Sequence, residues 1–314
     1  KKNLTEKTVQ INSGVAVLEE KGVLLDKLVV KAASATLTAG TDYTAAFDDN
    51  GYVNIVVIPG GAGKSATSLT VSGVQIDPSA VTPADIVGAV SAAGVESGME
   101  CIRMIFPKLN MVPGILIAPG WSENAIVSAG LQAKTTRING VFNCVCIVDI
   151  DSSTNGATKY DDVKQQKEKQ AVTSANCYAV WLYAKVGDVL YAGSAMAAAV
   201  TVATDADNGD IPNVSPSNKA VPISAACLKD GTEVLLDQEQ ANVVNSFGVA
   251  TWLNINGFRL WGNNTACYPG NTDPKDRWFS IRRFFCWDDN TFIQTYFQKV
   301  DSPANKRLIE ALVD

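Results

Sequence analysis

Val112-Pro113-Gly114-Ile115-Leu116-Ile117-Ala118-Pro119-Gly120-Trp121 is an apolar run bracketed by prolines. A run of this kind, without polar alternation, reads as a strand buried on both faces. Ser122 follows at once and suits a helix cap, so a helix is expected over 122–134. A second apolar run, 141–149, ends in Cys146-Ile147-Val148-Asp149, and a polar helix is expected over 160–170. A third strand over 178–183 leads to an alanine-rich helix over 194–203. Repeated strand–helix–strand units with apolar strands imply an α/β core, a mixed sheet flanked by helices on both faces.

Toward the N-terminus the texture changes at Val81-Thr82-Pro83-Ala84-Asp85, where Thr82 can cap, Pro83 suits a first helical position and Asp85 complements the helix end. A helix is expected over 83–93. Before it, Val9-Gln10-Ile11, Val15-Ala16-Val17, Leu28-Val29-Val30 and the runs 52–58 and 69–74 are short and β-branched or alternating. Asn50-Gly51 reads as a hairpin turn, because both residues tolerate positive φ. Residues 1–80 are therefore expected to form a small all-β domain, a sandwich or barrel, and 81–314 the α/β core. Toward the other end, Asp237 opens a helix to Ser246, and 249–254 pairs with 258–261 across Asn256-Gly257. A long helix is expected over 274–300, with Trp278, Phe279, Ile281, Phe284, Phe285 and Phe292 as its core face. A last helix from Ser302 or Pro303 would carry Leu308, Ile309 and Leu312.

At 314 residues the chain has room for about two domains of ~150 residues. Its 32 Asp+Glu against 26 Lys+Arg lack the basic footprint of a nucleic-acid binder. Histidine is absent, which removes Ser-His-Asp triads, Cys-His pairs and His-based metal sites. Seven cysteines without a C-x-x-C pair read as reduced, mostly buried thiols. Cys144 and Cys146, two apart in a strand, would share a face. No apolar run approaches the ~18 residues of a membrane span, and no signal peptide opens the chain. It begins Lys1-Lys2 without Met and stops at Asp314, so it is expected to be part of a longer polypeptide.

Gly60-Gly61-Ala62-Gly63-Lys64-Ser65 looks like a phosphate loop, but Ile58 stands where the pattern requires glycine and a strand follows, so a glycine-rich hairpin is expected. Asp149 and Asp151 at a strand end could hold a divalent cation. The blander reading has Asp149 capping a turn and Asp151 in solvent. Arg282 and Arg283 lie about 100° apart on a helix, so at most one points inward, and a solvated face or an acidic neighbouring subunit is expected to meet them.

The 112–121 run, a helix and then Cys146-Ile147-Val148-Asp149 resemble the core of contractile tail sheath proteins of phages, prophages and tail-like bacteriocins. Ala192-Gly193-Ser194-Ala195, through Ala203-Thr204-Asp205-Ala206-Asp207-Asn208-Gly209, resembles that family's helix and acidic loop. The strongest likeness is Asn256-Gly257-Phe258-Arg259-Leu260-Trp261-Gly262-Asn263-Asn264-Thr265, followed by Arg277-Trp278-Phe279-Ser280-Ile281-Arg282-Arg283. The family carries Trp-Gly-x-Arg-Thr and a downstream Arg-Arg pair; Asn264 stands at the first arginine's position. The likeness covers roughly 83–300.

The resemblance implies a subtilisin-like topology for the core and an insertion domain for 1–80. It implies a structural subunit, not an enzyme, that polymerises helically around a tail tube and contracts to drive the tube through a target envelope. The implied partners are further copies of the chain, the tube protein, and baseplate and tail terminator proteins, without nucleic acid or membrane. The implied location is the virion tail sheath, assembled in host cytoplasm. No cofactor, metal or catalytic residue is expected. The motif and packing residues are Pro119, Gly120, Trp121, Asp149, Trp261, Gly262, Thr265, Arg282 and Arg283. Trp121 and Trp261 are expected in the core or at a sheet end, with Trp261→Ala costing ~3–5 kcal/mol. Two alternatives differ in class: a baseplate or adhesin module, suggested by the β region, and a metal-dependent enzyme on Asp149 and Asp151.

Overall fold

Two compact units, Lys1–Thr82 and Pro83–Asp314, divide the chain in the computed structural model, which describes residues 1–303 and residue 310. The helix expected around Leu308, Ile309 and Leu312 lies outside the described residues.

The first unit contains β1 (Lys2–Asn12), β2 (Val15–Leu18), β3 (Val29–Ala32), β4 (Ala35–Thr36), β5 (Tyr43–Phe47), β6 (Val53–Val57) and β7 (Ser68–Gln75). They make one 7-stranded antiparallel sheet in the order β4-β3-β7-β1-β2-β6-β5. Alternation along β2, β6 and β7 sends Leu18, Val53, Ile55, Leu69 and Val71 into an apolar core. At Asn50-Gly51 only Gly51 has positive φ (79°). Asp48 Oδ1 accepts the amides of Asn50 and Tyr52 at 2.9 and 2.8 Å, so an Asx-type loop replaces the tight turn. The glycine-rich loop after β6 leads into strand β7 as expected, but it is not a hairpin, because β6 pairs with β2 and β5 while β7 pairs with β1 and β3.

The second unit contains α1 (Pro83–Val87), α2 (Ile105–Leu109), β8 (Ile115–Ile117), α3 (Ala125–Ala133), β9 (Val145–Ile150), α4 (Val163–Lys169) and β10 (Cys177–Trp181). There follow β11 (Tyr183–Val186), β12 (Val189–Tyr191), α5 (Gly193–Asp207), β13 (Ala225–Cys227), α6 (Gln238–Ser246), β14 (Val249–Asn254), β15 (Phe258–Trp261), α7 (Pro274–Arg277) and α8 (Phe279–Tyr296). The main sheet runs β15-β14-β10-β9-β8, parallel except for β15. Every residue of β9 and β10 is buried, so both faces of the central strands are covered. Helix α5 packs on β8, β9 and β10, α3 and α4 on β9, and α6 on β14. A smaller sheet, β12-β11-β13, is antiparallel. Tyr178 stacks on Phe279 at 4.1 Å between centroids, and Trp181 and Trp252 are fully buried nearby in the same core.

Several elements differ from expectation. The 112–121 strand is an edge, with Ile117 39% exposed. The helix from Pro83 stops at Val87, because Gly88 turns at φ +74° and its backbone lies on Ser97, where a Cβ would meet the carbonyl oxygen at 1.8 Å. The 178–183 strand breaks at Leu182 (φ 84°), where the chain leaves one sheet for the other. The long helix is interrupted at Trp278, which is extended (ψ 119°). Nor is the aromatic stripe a core face. The inward positions of α8 are Phe279, Ser280, Arg283, Cys286 and Asn290, a stripe with one aromatic, while Ile281, Phe285 and Phe292 are exposed.

Candidate functional site

At the carboxyl end of the parallel strands, β9 delivers Asp149 into the interior, where it is 3% exposed. Its Oδ1 accepts the Ser194 amide at 2.6 Å, and its Oδ2 accepts the Ser194 hydroxyl at 2.5 Å and the Ser122 hydroxyl at 2.7 Å. Asp149 N–H donates back to Ser122 Oγ at 2.9 Å. The Ser194 amide is one of the unpaired donors in the first turn of α5, so a strand residue supplies the cap that the helix lacks locally. Gly193 makes the approach possible: a Cβ there would lie 2.5 Å from Leu182 O and 3.3 Å from Asp149 Oδ1. Burial raises the Asp149 pKa against the pull of these hydrogen bonds.

Pro119, Gly120 and Trp121 form the turn that carries Ser122 to this carboxylate; Gly120 has φ 75° and Trp121 is half-buried. Ser122 is thus not the helix cap. Asn124 caps α3, its side chain accepting the Ile126 amide at 2.9 Å. Beside it, buried Glu123 accepts the Tyr183 hydroxyl at 2.7 Å and pairs with Lys229. Its pKa too is raised, by burial first.

Asp149 therefore caps a helix, not a turn. Asp151 takes the Ser153 amide at 2.9 Å and the Ser153 hydroxyl at 3.1 Å, and is half-buried. Each carboxylate is held by its own neighbours, and among the described residues no group of three or more Cys, Asp or Glu could hold a metal ion.

At the amino end of the same sheet the second motif closes on itself. Gly262 O accepts the Tyr178 hydroxyl at 2.6 Å. A Cβ on Gly262 would lie 2.2 Å from Asn245 Oδ1 at φ +132°, so only glycine fits. Asn263 Oδ1 accepts the Ser280 amide (3.2 Å), and Asn264 Oδ1 accepts Arg277 Nε (3.0 Å). Buried Thr265 donates its hydroxyl to Asp276 O at 2.6 Å, and its amide bonds Arg277 O at 2.7 Å. The stretch after β15 is thereby riveted to the α7–α8 break. Arg283 is buried and paired with Asp205 on α5, with one contact at 3.1 Å; Arg282, half-buried, bonds Asn176 and meets Asp276 at 3.4 Å. One arginine of the pair points inward, as the 100° spacing required, but its partner is intramolecular. Trp261 is only half-buried, its Nε1 donating to Asn242 Oδ1 at 3.0 Å, so the core tryptophans are Trp181 and Trp252.

The nine motif residues fall into two groups at opposite ends of the sheet. Sequence reasoning missed Ser194 and Gly193 as parts of the first group. Their signal was a Gly-Ser pair opening a helix while a lone carboxylate ended an apolar strand.

No family model matches the chain. It is 28% identical over 303 residues, 91% of its length, to the tail sheath protein of Burkholderia phage BcepMu. The chain is similar to a phage tail sheath protein along nearly its whole length. The chain spans 61% of the length of that phage protein. Its fold is shared with the sheath of an extracellular contractile injection system in the contracted state, at TM-score 0.52 and 18% identity, over 68% of this chain and 55% of that one. It is shared as well with a chain of the anti-feeding prophage baseplate, at TM-score 0.50 and 15% identity, over 76% and 63%.

Proposed function

We propose that the chain is the core of a structural subunit of a contractile tail sheath, which polymerises helically around a tail tube and drives it through a target envelope on contraction. One observation carries this reading: 28% identity to a phage tail sheath protein across 91% of the chain. The physics agrees. Asp149, Glu123, Arg283 and Thr265 are all engaged inside the subunit, which holds both motifs in fixed positions. A rigid body with two different complementary faces assembles head-to-tail, and a rotation that does not close grows a tube. Contraction is then a rigid-body rearrangement between two packings of the same subunit.

In this reading the partners are further copies of the chain, the tube protein, and baseplate and tail terminator proteins. The location is the virion tail sheath, assembled in host cytoplasm. The core has a subtilisin-like topology without catalysis, and 1–80 is an insertion domain. Pro119, Gly120, Trp121, Asp149, Trp261, Gly262, Thr265, Arg282 and Arg283 serve packing. Electron microscopy of the intact polypeptide tests it. Hollow cylinders are expected; an intact product that stays dispersed under all assembly conditions overturns the reading.

A further inference from the structure

Lys167 on α4 is the one buried lysine among the described residues, 7% exposed. Its Nζ donates to Phe247 O at 2.6 Å and Tyr268 O at 2.9 Å. Among the described residues it makes no ion pair, in contrast to buried Arg283 with its Asp205. Phe247 closes the C-terminus of α6, whose partial negative charge suits a cation. Two carbonyls still leave one of the three ammonium donors unused. A buried ammonium bonded only to carbonyls is costly even with the Glu168 carboxylate on the same cavity wall, and burial pushes this amine down to about 8.

Lys167 lines a cavity of about 640 Å³ together with Lys164, Glu168, Val172, Phe247, Tyr268 and Pro269. The wall is largely apolar, and Lys164 adds a second, exposed cation on the same helix. We propose that this cavity is a carboxylate-binding site whose occupant is an acidic side chain of a second copy of the chain. The choice of occupant rests on the sheath reading, which sets many copies side by side, and on charge complementarity. A chain with 32 Asp+Glu and 26 Lys+Arg presents acidic groups to a pocket whose buried ammonium makes no ion pair among the described residues. A carboxylate on the third donor would complete the ammonium with a charge-assisted hydrogen bond inside an apolar wall. Occupancy favours the charged amine, so it lowers the fraction of neutral, reactive Lys167.

The test is reductive methylation with formaldehyde and a borane at pH 8, each lysine followed by mass spectrometry. On dispersed polypeptide, sodium acetate should slow methylation of Lys167 severalfold and saturably, with no effect on exposed Lys64. Sodium chloride at equal ionic strength should do nothing. Equal slowing by both salts, or none by acetate, overturns the site and leaves Lys167 as a cap for α6. Lys167→Met should abolish acetate's effect on Tm, and Lys167→Arg should retain it; the reverse pattern also overturns the site. In assembled cylinders, without acetate, Lys167 should react at least tenfold more slowly than in dispersed protein. An unchanged rate removes the second copy as occupant. Failure to form cylinders removes that occupant together with the sheath reading, while the acetate arm decides the carboxylate chemistry by itself.

Discussion

The two ends of the main sheet handle buried charge in different ways. At the carboxyl end, Asp149 has no cation within ion-pair distance among the described residues and is held by two hydroxyls and an amide at the start of α5. At the amino end, buried Arg283 has a carboxylate partner in Asp205, while buried Lys167 is met by the carbonyls of Phe247 and Tyr268. Helix α5 joins the two, with Ser194 in its first turn and Asp205 in its last. The contrast teaches that one end is held by groups whose balance shifts with protonation. The other combines the Arg283–Asp205 ion pair with a buried lysine held by backbone carbonyls.

The largest effect is expected at the amino end. Arg283→Ala leaves Asp205 without its partner and should cost about 3–5 kcal/mol. Urea denaturation measures this, and a loss under about 1 kcal/mol would mean that the ion pair is not what holds α8 to α5. Trp252→Ala should cost a similar ~3–5 kcal/mol, since its ring is fully buried and its Nε1 donates to Leu182 O at 3.0 Å.

Gly193→Ala should cost about 1–3 kcal/mol by overpacking, because the new methyl must displace the Leu182 carbonyl or the start of α5. A melting temperature equal to that of the parent chain would show that the carboxyl end is more yielding than its geometry suggests. Trp261→Ala should cost less, about 1–2 kcal/mol, since the ring is half-buried and loses one hydrogen bond to Asn242. This replaces the ~3–5 kcal/mol expected for a core tryptophan.

Asp149→Asn sharpens the comparison through pH. The folded-state pKa of Asp149 is raised by burial, so the native state holds this proton more tightly than the unfolded chain does. Its contribution is therefore fully present below the unfolded value of about 3.9 and is lost as pH rises through the higher folded value. Asparagine does not titrate. The stability of the parent chain relative to Asp149→Asn should fall as pH is raised from about 4, and denaturant midpoints on the two proteins measure it. Glu123 shifts in the same direction and is present in both, so its burial contribution cancels and only the part due to the Asp149 charge differs. A difference that grows with pH would mean that the hydrogen bonds outweigh burial.

Much of the order of elements was legible in the chain. The hairpin of β14 and β15 follows from alternation around Asn256-Gly257, and both turn residues take positive φ. The Asp237 cap of α6 was legible for the same reason: its partner Gln240 is three residues away and completes a capping box. Ser122 misled because a serine before a helix is a good local cap, yet its hydroxyl is drawn to Asp149, 27 residues along the chain.

By itself the sequence determined what depends on neighbours a few residues apart: the apolar strands, the hairpin turn, the α6 cap, the absence of imidazole chemistry, and the motifs that resemble tail sheath proteins. Only the tertiary structure decided which face of α8 turns inward, that Asp149 caps a helix 45 residues away, and that Lys167 is buried without an ion pair among the described residues. Local periodicity encodes which surface is apolar. Which polar groups meet inside depends on how distant segments cross, and burial then sets the strength of their interaction.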